Sequence, residues 1–78
     1  MPAPERRVVA ANVRAEMARR RLPQIALADR LGITQQAVSM KLAGRRPLTD
    51  TEVAAIADFL SVEPGSLFAD HAAVRSAS

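Results

Sequence analysis

Apolar residues recur along this chain at helical rather than strand spacing. Val9, Val13 and Met17 return every fourth position with Val8 beside them, in a run (residues 5–20) free of glycine and proline and rich in alanine and arginine. Both are good helix formers, so a first helix with a narrow inner stripe is predicted there. Leu27, Ala28 and Leu31 mark a second stripe, which predicts a short helix over residues 24–31. Gly32 follows the last apolar position, where a helix end favours a residue that tolerates positive φ. Ile33 is then an apolar plug, and Thr34 offers a side-chain oxygen suited to cap a third helix in which Val38 and Leu42 face inward. Gly44 closes that helix. The clearest local signal follows at residues 48–53: Thr49 and Glu52 have capping-box spacing, and Leu48 with Val53 forms the hydrophobic staple around it. A fourth helix is predicted to run to Leu60, with Val53, Ile56, Ala57 and Leu60 inward. After a turn at residues 61–63, Pro64 sits where a first helical residue belongs, and Leu67 and Phe68 are the apolar anchors of a short fifth helix.

The ends are less patterned. Residues 1–4 carry two prolines and are expected to be a disordered tail. Residues 69–78 are small and polar with only Val74 to bury, which fits a tail and an extension of the fifth helix equally. With no internal repeat and no competing strand pattern, one all-α domain of four to five helices is expected over residues 5–68.

What the inward stripes leave over is informative. On the third helix Gln35, Gln36, Ser39, Met40 and Ala43 fall opposite Val38 and Leu42. Adjacent amides near a helix N-terminus make poor core residues but good readers of base edges, since a glutamine bonds adenine in bidentate fashion. A plain solvated helix start is the other reading of that pair. Two short helices joined by a tight turn, the second with this outward face, read as a helix-turn-helix. Met40 has no strong hydrogen-bonding group and is expected against a thymine methyl or a sugar, with Ala37 doing the same from the flank.

Charge sharpens the picture. The formal net charge is +3 over 78 residues, but residues 1–46 hold ten Arg or Lys against three acids, a net +7, and residues 47–78 hold Arg75 against five acids, a net −4. A basic half that contains the helix-turn-helix is the footprint of a polyanion binder. An arginine-rich composition alone would explain the total but not its confinement to one half. Arg19, Arg20 and Arg21 have two readings: cations at a helix C-terminus complement its dipole by roughly 0.3–1 kcal/mol each at low salt, and the same run suits phosphate contact beside the second helix.

The joint spacing of Gln24, Leu27-Ala28, Leu31-Gly32, Ile33-Thr34, Val38-Ser39 and Gly44 resembles the helix-turn-helix domain of the Cro and lambdoid-phage repressor family, also called XRE-like. Residues 44–68 resemble the remaining helices of that family, so the resemblance covers roughly residues 9–68. It implies a compact lambda-repressor-like DNA-binding domain with the helix-turn-helix at its second and third helices. It also places base readers at Gln35 and Gln36, with Ser39, Met40 and Ala37 on the same side, and a phosphate-contacting glutamine at Gln24. Thr34 is expected to cap, to touch a phosphate, or both. Arg45 and Arg46 fall where the family's loop follows the DNA backbone, and Arg20 and Arg21 join the phosphate set. Two positions depart from the family pattern. Pro23 stands where many members carry Ser or Thr; it offers no capping oxygen and is expected at the first helical position of the second helix. Lys41 replaces a large apolar or aromatic residue; its stem is expected on the core and its charge outward, on a phosphate.

Other classes find little support. There is no cysteine, and a single histidine, His71, reads as a solvated tail residue, so neither metal nor cofactor is expected. No nucleophile–base pair argues for an enzyme. No apolar run approaches a membrane span or a signal-peptide core, so a cytoplasmic protein, with no membrane partner and no small-molecule ligand, is expected. The expected partner is a double-stranded DNA operator, palindromic if a homodimer reads it. Leu67, Phe68 and Val74 offer only a small pairing surface, so assembly on DNA alone is as consistent as a stable dimer. The residues after Phe68 are too few for a sensing domain, so regulation is expected to follow protein concentration and competition for operators. A bacterial or bacteriophage regulator of repressor or Cro type is the leading reading; an antitoxin or interaction module on the same fold is the alternative.

Overall fold

The computed structural model describes residues 4–69, with side chains from Arg7 onward. The expectations for the first three residues, His71, Val74 and the C-terminal tail therefore lie outside the described residues. Four α-helices follow one another, α1 Pro4–Arg19, α2 Gln24–Leu31, α3 Gln35–Leu42 and α4 Asp50–Leu60, and a 3-10 helix, Pro64–Phe68, closes the described chain. Among the described residues there is no strand.

The inward stripes meet in one core. Val9, Val13 and Met17 of α1, Leu27 and Ala28 of α2, Val38 and Leu42 of α3, and Val53, Ile56, Ala57 and Leu60 of α4 are all buried, with Leu67 completing the cluster. The stripe of α1 widens on a different side from the one expected. Val8 is half-buried, and Ala10 is buried instead. Ala10 lies three residues before Val13 and seven before Met17, hence on their face of the helix. Leu22, Leu31, Ile33, Leu48, Phe59 and Val62 pack around the margin.

Each turn follows from its residues. Gly32 ends α2 in the left-handed region, φ 68°, and the next N–H, of Ile33, returns to Ala28 O at 3.1 Å. An L side chain would be strained there, which is why glycine serves. Arg21 and Ser61 adopt the same conformation, φ 56° and 58°, to end α1 and α4. Pro23 corrects the expectation for α2. Its ψ of 153° makes it the N-cap, outside the helix, and Gln24 is the first helical residue. Proline supplies no capping oxygen, but its carbonyl accepts from Ala26 N at 3.1 Å and so opens the helix through the backbone. At α4 the capping box is complete: Thr49 Oγ1 accepts from Glu52 N at 3.1 Å, and Glu52 Oε1 accepts from Thr49 N at 2.9 Å.

The C-terminal 3-10 helix is fastened by a residue without a local signal. Asn12 Nδ2 donates to Leu67 O at 2.7 Å and to Ala69 O at 2.8 Å, holding the segment on α1. Of its two apolar residues only Leu67 is an anchor. Phe68 is 48% exposed, contrary to expectation, because a 3-10 turn sets neighbouring residues on different faces and the core takes only one. An ion pair between Arg30 and Asp58 joins α2 to α4 across the outside.

Candidate nucleic-acid interface

The candidate surface is built on α3. Thr34, with φ −73° and ψ 156°, stands outside the helix as N-cap, and its Oγ1 accepts from Ala37 N at 3.0 Å. That leaves α3 anchored by Val38 and Leu42, with Gln35, Gln36 and Ser39 exposed and Ala37 and Met40 half-buried beside them. At its other end Gly44 takes φ 79° and Arg45 N returns to Met40 O at 2.9 Å, so the chain reverses sharply into the basic loop. The reversal has a consequence for charge. Thr34, Gln36, Ala37, Met40 and Arg46 line one shallow hollow on the surface. A capping hydroxyl, an amide, a thioether and a guanidinium 46 positions into the chain thus share one concavity, while Arg45 is exposed beside it.

The expected phosphate set divides. Gln24 is half-buried at the first turn of α2 and lines a separate, largely apolar cleft with Arg14, Met17, Ala18, Leu22 and Leu42. The first backbone N–H groups of that helix are free of a side-chain cap, which suits an anion. Arg21 is exposed. Arg20 is engaged within the protein: its guanidinium pairs with Glu16 Oε1, while Arg19 pairs with Glu16 Oε2. Those bonds, Arg20's first and Arg19's second, outweigh burial and hold the Glu16 carboxyl below the usual carboxylate range. Two arginines of the run thus have a carboxylate partner one helical turn back on α1.

Lys41 is the clearest departure from expectation. Its ammonium does not extend outward. Nζ donates to Glu52 Oε1 and to Pro47 O, both at 3.0 Å, and the two side chains retain only 15% and 18% exposure. The physical reason is local: Glu52 already points back toward Thr49 as a cap, so a carboxylate waits within reach of the α3 flank. Arg14 of α1 also braces this frame. Its Nη1 donates to Leu42 O, the last carbonyl of α3, placing a cation where the helix dipole is negative. Twenty-eight residues separate the two, so no local pattern announces the contact.

Burial pushes the Glu52 carboxyl up, but the Thr49 backbone N–H and the Lys41 ammonium outweigh it, leaving the group below its ordinary value. Glu16 and Glu52 are thus both better acids folded than unfolded. A depressed native pKa contributes stability that is present above the unfolded value and lost as pH falls through the native one. The melting temperature is therefore expected to fall on acidification below the ordinary carboxylate range, and less so in Glu52→Gln. Thermal unfolding followed by circular dichroism across that range checks both.

With this geometry in place, the chain matches the model of the family described as helix-turn-helix over residues 13–67. The chain belongs to the helix-turn-helix family, of the XRE type that includes Cro and the phage repressors. Comparison with curated proteins gives no match, and comparison with solved structures gives none. The matched stretch of this helix-turn-helix protein runs from the middle of α1 to the buried Leu67, and so includes α2, α3, α4 and the second half of α1. The all-helical architecture is that of a lambda-repressor-like domain, and the family is one of DNA-binding regulators. Among the described residues no group of three or more His, Cys, Asp or Glu is placed to hold a metal ion, and no helix is long and apolar enough to cross a membrane.

Proposed function

We propose that this protein is a sequence-specific regulator of transcription, of repressor or Cro-like type, that lays α3 in the major groove of an operator. The observation that carries the reading is the hollow that gathers Gln36, Met40, Ala37 and Thr34 beside Arg46. A helix fits the major groove with its N-terminal side chains at base edges while the flanking loop meets phosphates, and this hollow has both parts. Gln35 and Gln36 read bases, Ser39, Met40 and Ala37 fill the groove behind them, and Gln24, Thr34, Arg45, Arg46 and Arg21 hold the backbone. Two copies on one duplex would set their reading helices about 34 Å apart, one DNA turn. Selection of binding sites from random duplex DNA tests the proposal. A preferred site made of two half-sites at that spacing is expected; recovery of no preferred sequence would refute sequence-specific regulation.

The phosphate contacts carry a separate prediction. Each neutralised phosphate adds about −0.9 to the slope of log K against log salt and adds nothing to discrimination. Arg45→Ala is therefore expected to weaken all duplexes by a similar factor and to make the slope shallower by about 0.9. Titrations at several salt concentrations measure both. An antitoxin reading would instead use the exposed Phe68 end for a protein partner; a neighbouring gene product that co-purifies would favour it.

A further inference from the structure

The loop that carries Arg45 and Arg46 leaves α3 and must be held somewhere. Its first part is tied by Arg45 N to Met40 O, and its last residue by Thr49 N to Glu52 Oε1. Between them Lys41 Nζ reaches Pro47 O at 3.0 Å and, at the same distance, Glu52 Oε1. One carboxylate oxygen and one ammonium thus connect α3, the loop and the first turn of α4. Exposed ion pairs of this kind contribute little, but both partners here are largely shielded and each has a second bond that fixes its geometry. The local sequence supports the arrangement. Position 47 has no N–H to contribute, so its carbonyl is the loop's available handle, and Glu52 is oriented beforehand by the capping box.

We propose that Lys41 and Glu52 form a positioning lock, which fixes the basic loop relative to α3 so that Arg45 and Arg46 meet phosphates while α3 reads bases, and that Lys41 itself does not touch DNA. The inference rests on the reading of α3 and this loop as the DNA-binding surface. It separates cleanly from a charge-only view. If side chains act as point charges near a polyanion, removing Lys41 weakens binding and removing Glu52 tightens it. If they act as a lock, removing either weakens it.

Two variants test this in the full chain. Lys41→Met keeps the apolar stem and loses the ammonium; Glu52→Gln keeps an acceptor for the helix cap and loses the charge. Each is measured against the duplex that the wild type selects from random DNA, over a range of salt, and by amide hydrogen exchange of the DNA-free protein. Lys41→Met is expected to weaken binding roughly 3- to 10-fold, the range of one lost hydrogen-bonded tie, with the salt slope unchanged. Glu52→Gln is expected to weaken it roughly 2- to 5-fold, because a neutral acceptor holds the ammonium less strongly. In both, the amides of Arg45 and Thr49, which are bonded to Met40 O and Glu52 Oε1, are expected to exchange faster while those of α1 keep their protection. Tighter binding by Glu52→Gln, a slope shallower by about 0.9 in Lys41→Met, or unchanged exchange in the loop would each overturn the lock. Failure of the wild type to bind any duplex at low salt would instead refute the proposed function, and the exchange measurement would still decide whether the pair orders the loop.

Discussion

Replacing Gln36 by alanine is expected to flatten the protein's preference among operator variants while leaving its affinity for mixed-sequence DNA nearly unchanged. The side chain is exposed, so its removal costs the fold little; substitutions at such positions stay within about 0.5 kcal/mol. Its place is what matters. It lies in the hollow with Met40 and Arg46, one residue after the start of α3, and the N-terminal side chains of a recognition helix are those that reach base edges. A good bidentate amide–base pair contributes about 1–3 kcal/mol of discrimination, or roughly 5- to 150-fold between the right and wrong base. Competition titrations with single-position variants of the selected site would show one position losing its preference in Gln36→Ala. The contrast with Arg45→Ala is the informative part: one variant changes which sequence is bound, the other how tightly any sequence is bound. An unchanged preference profile in Gln36→Ala would mean that a different face does the reading.

A second large effect is expected far from the DNA. Ile56 has no exposure at all and stands in the cluster where α1, α2, α3 and α4 converge. Truncating a buried Ile to Ala costs about 2–5 kcal/mol through lost transfer energy and the cavity left behind. A chain of 78 residues has a total stability of only about 4–12 kcal/mol at typical values per residue. Ile56→Ala is therefore expected to lower the melting temperature by roughly 10–30 °C and, at the lower end of that stability range, to leave a sizeable unfolded fraction. Met17→Leu, nearly equal in volume at a site 3% exposed, is the control and is expected to cost less than about 1.5 kcal/mol. Thermal melts of the two variants beside the wild type settle the comparison. DNA binding should decline with the folded fraction, since α3 makes its surface only when the core braces it.

Most of the fold was legible because local chemistry and core demand agree along this chain. Gly32, Thr34, Gly44 and the Thr49–Glu52 box mark element ends by side-chain and backbone rules that act over five residues or fewer, and the structure keeps each of them. Periodicity likewise placed Leu27, Val38, Ile56 and Leu60 inside. What escaped was long in sequence or shared between elements. Asn12 binding the carbonyls of Leu67 and Ala69, and Arg14 binding that of Leu42, pair a side chain with a backbone group that any residue would present, so the partner's identity leaves no trace in the sequence. Lys41 departs from its expected outward course for a related reason. Its stem and charge pointed to the family's DNA-facing flank, but the carboxylate it meets belongs to a cap eleven residues away. Phe68 shows the limit of composition: an apolar residue at a plausible spacing was expected in the core, and a 3-10 turn, with its different period, left it outside. Of the site itself, the exposed face of α3 was readable as what the core stripe does not use. The hollow with Arg46 was not, because it depends on how sharply the chain reverses at Gly44.

The central claim is that the surface of α3 and the loop after it is where a duplex sits. Backbone amide resonances, followed while the isotopically labelled protein is titrated with its selected duplex at low salt, report on that most directly. The largest changes are expected at Gln24, Thr34, Gln35, Gln36, Ser39, Met40, Arg45 and Arg46, with the outer face of α4 nearly still. Changes concentrated instead on α4 and the Phe68 end, with α3 unmoved, would contradict it.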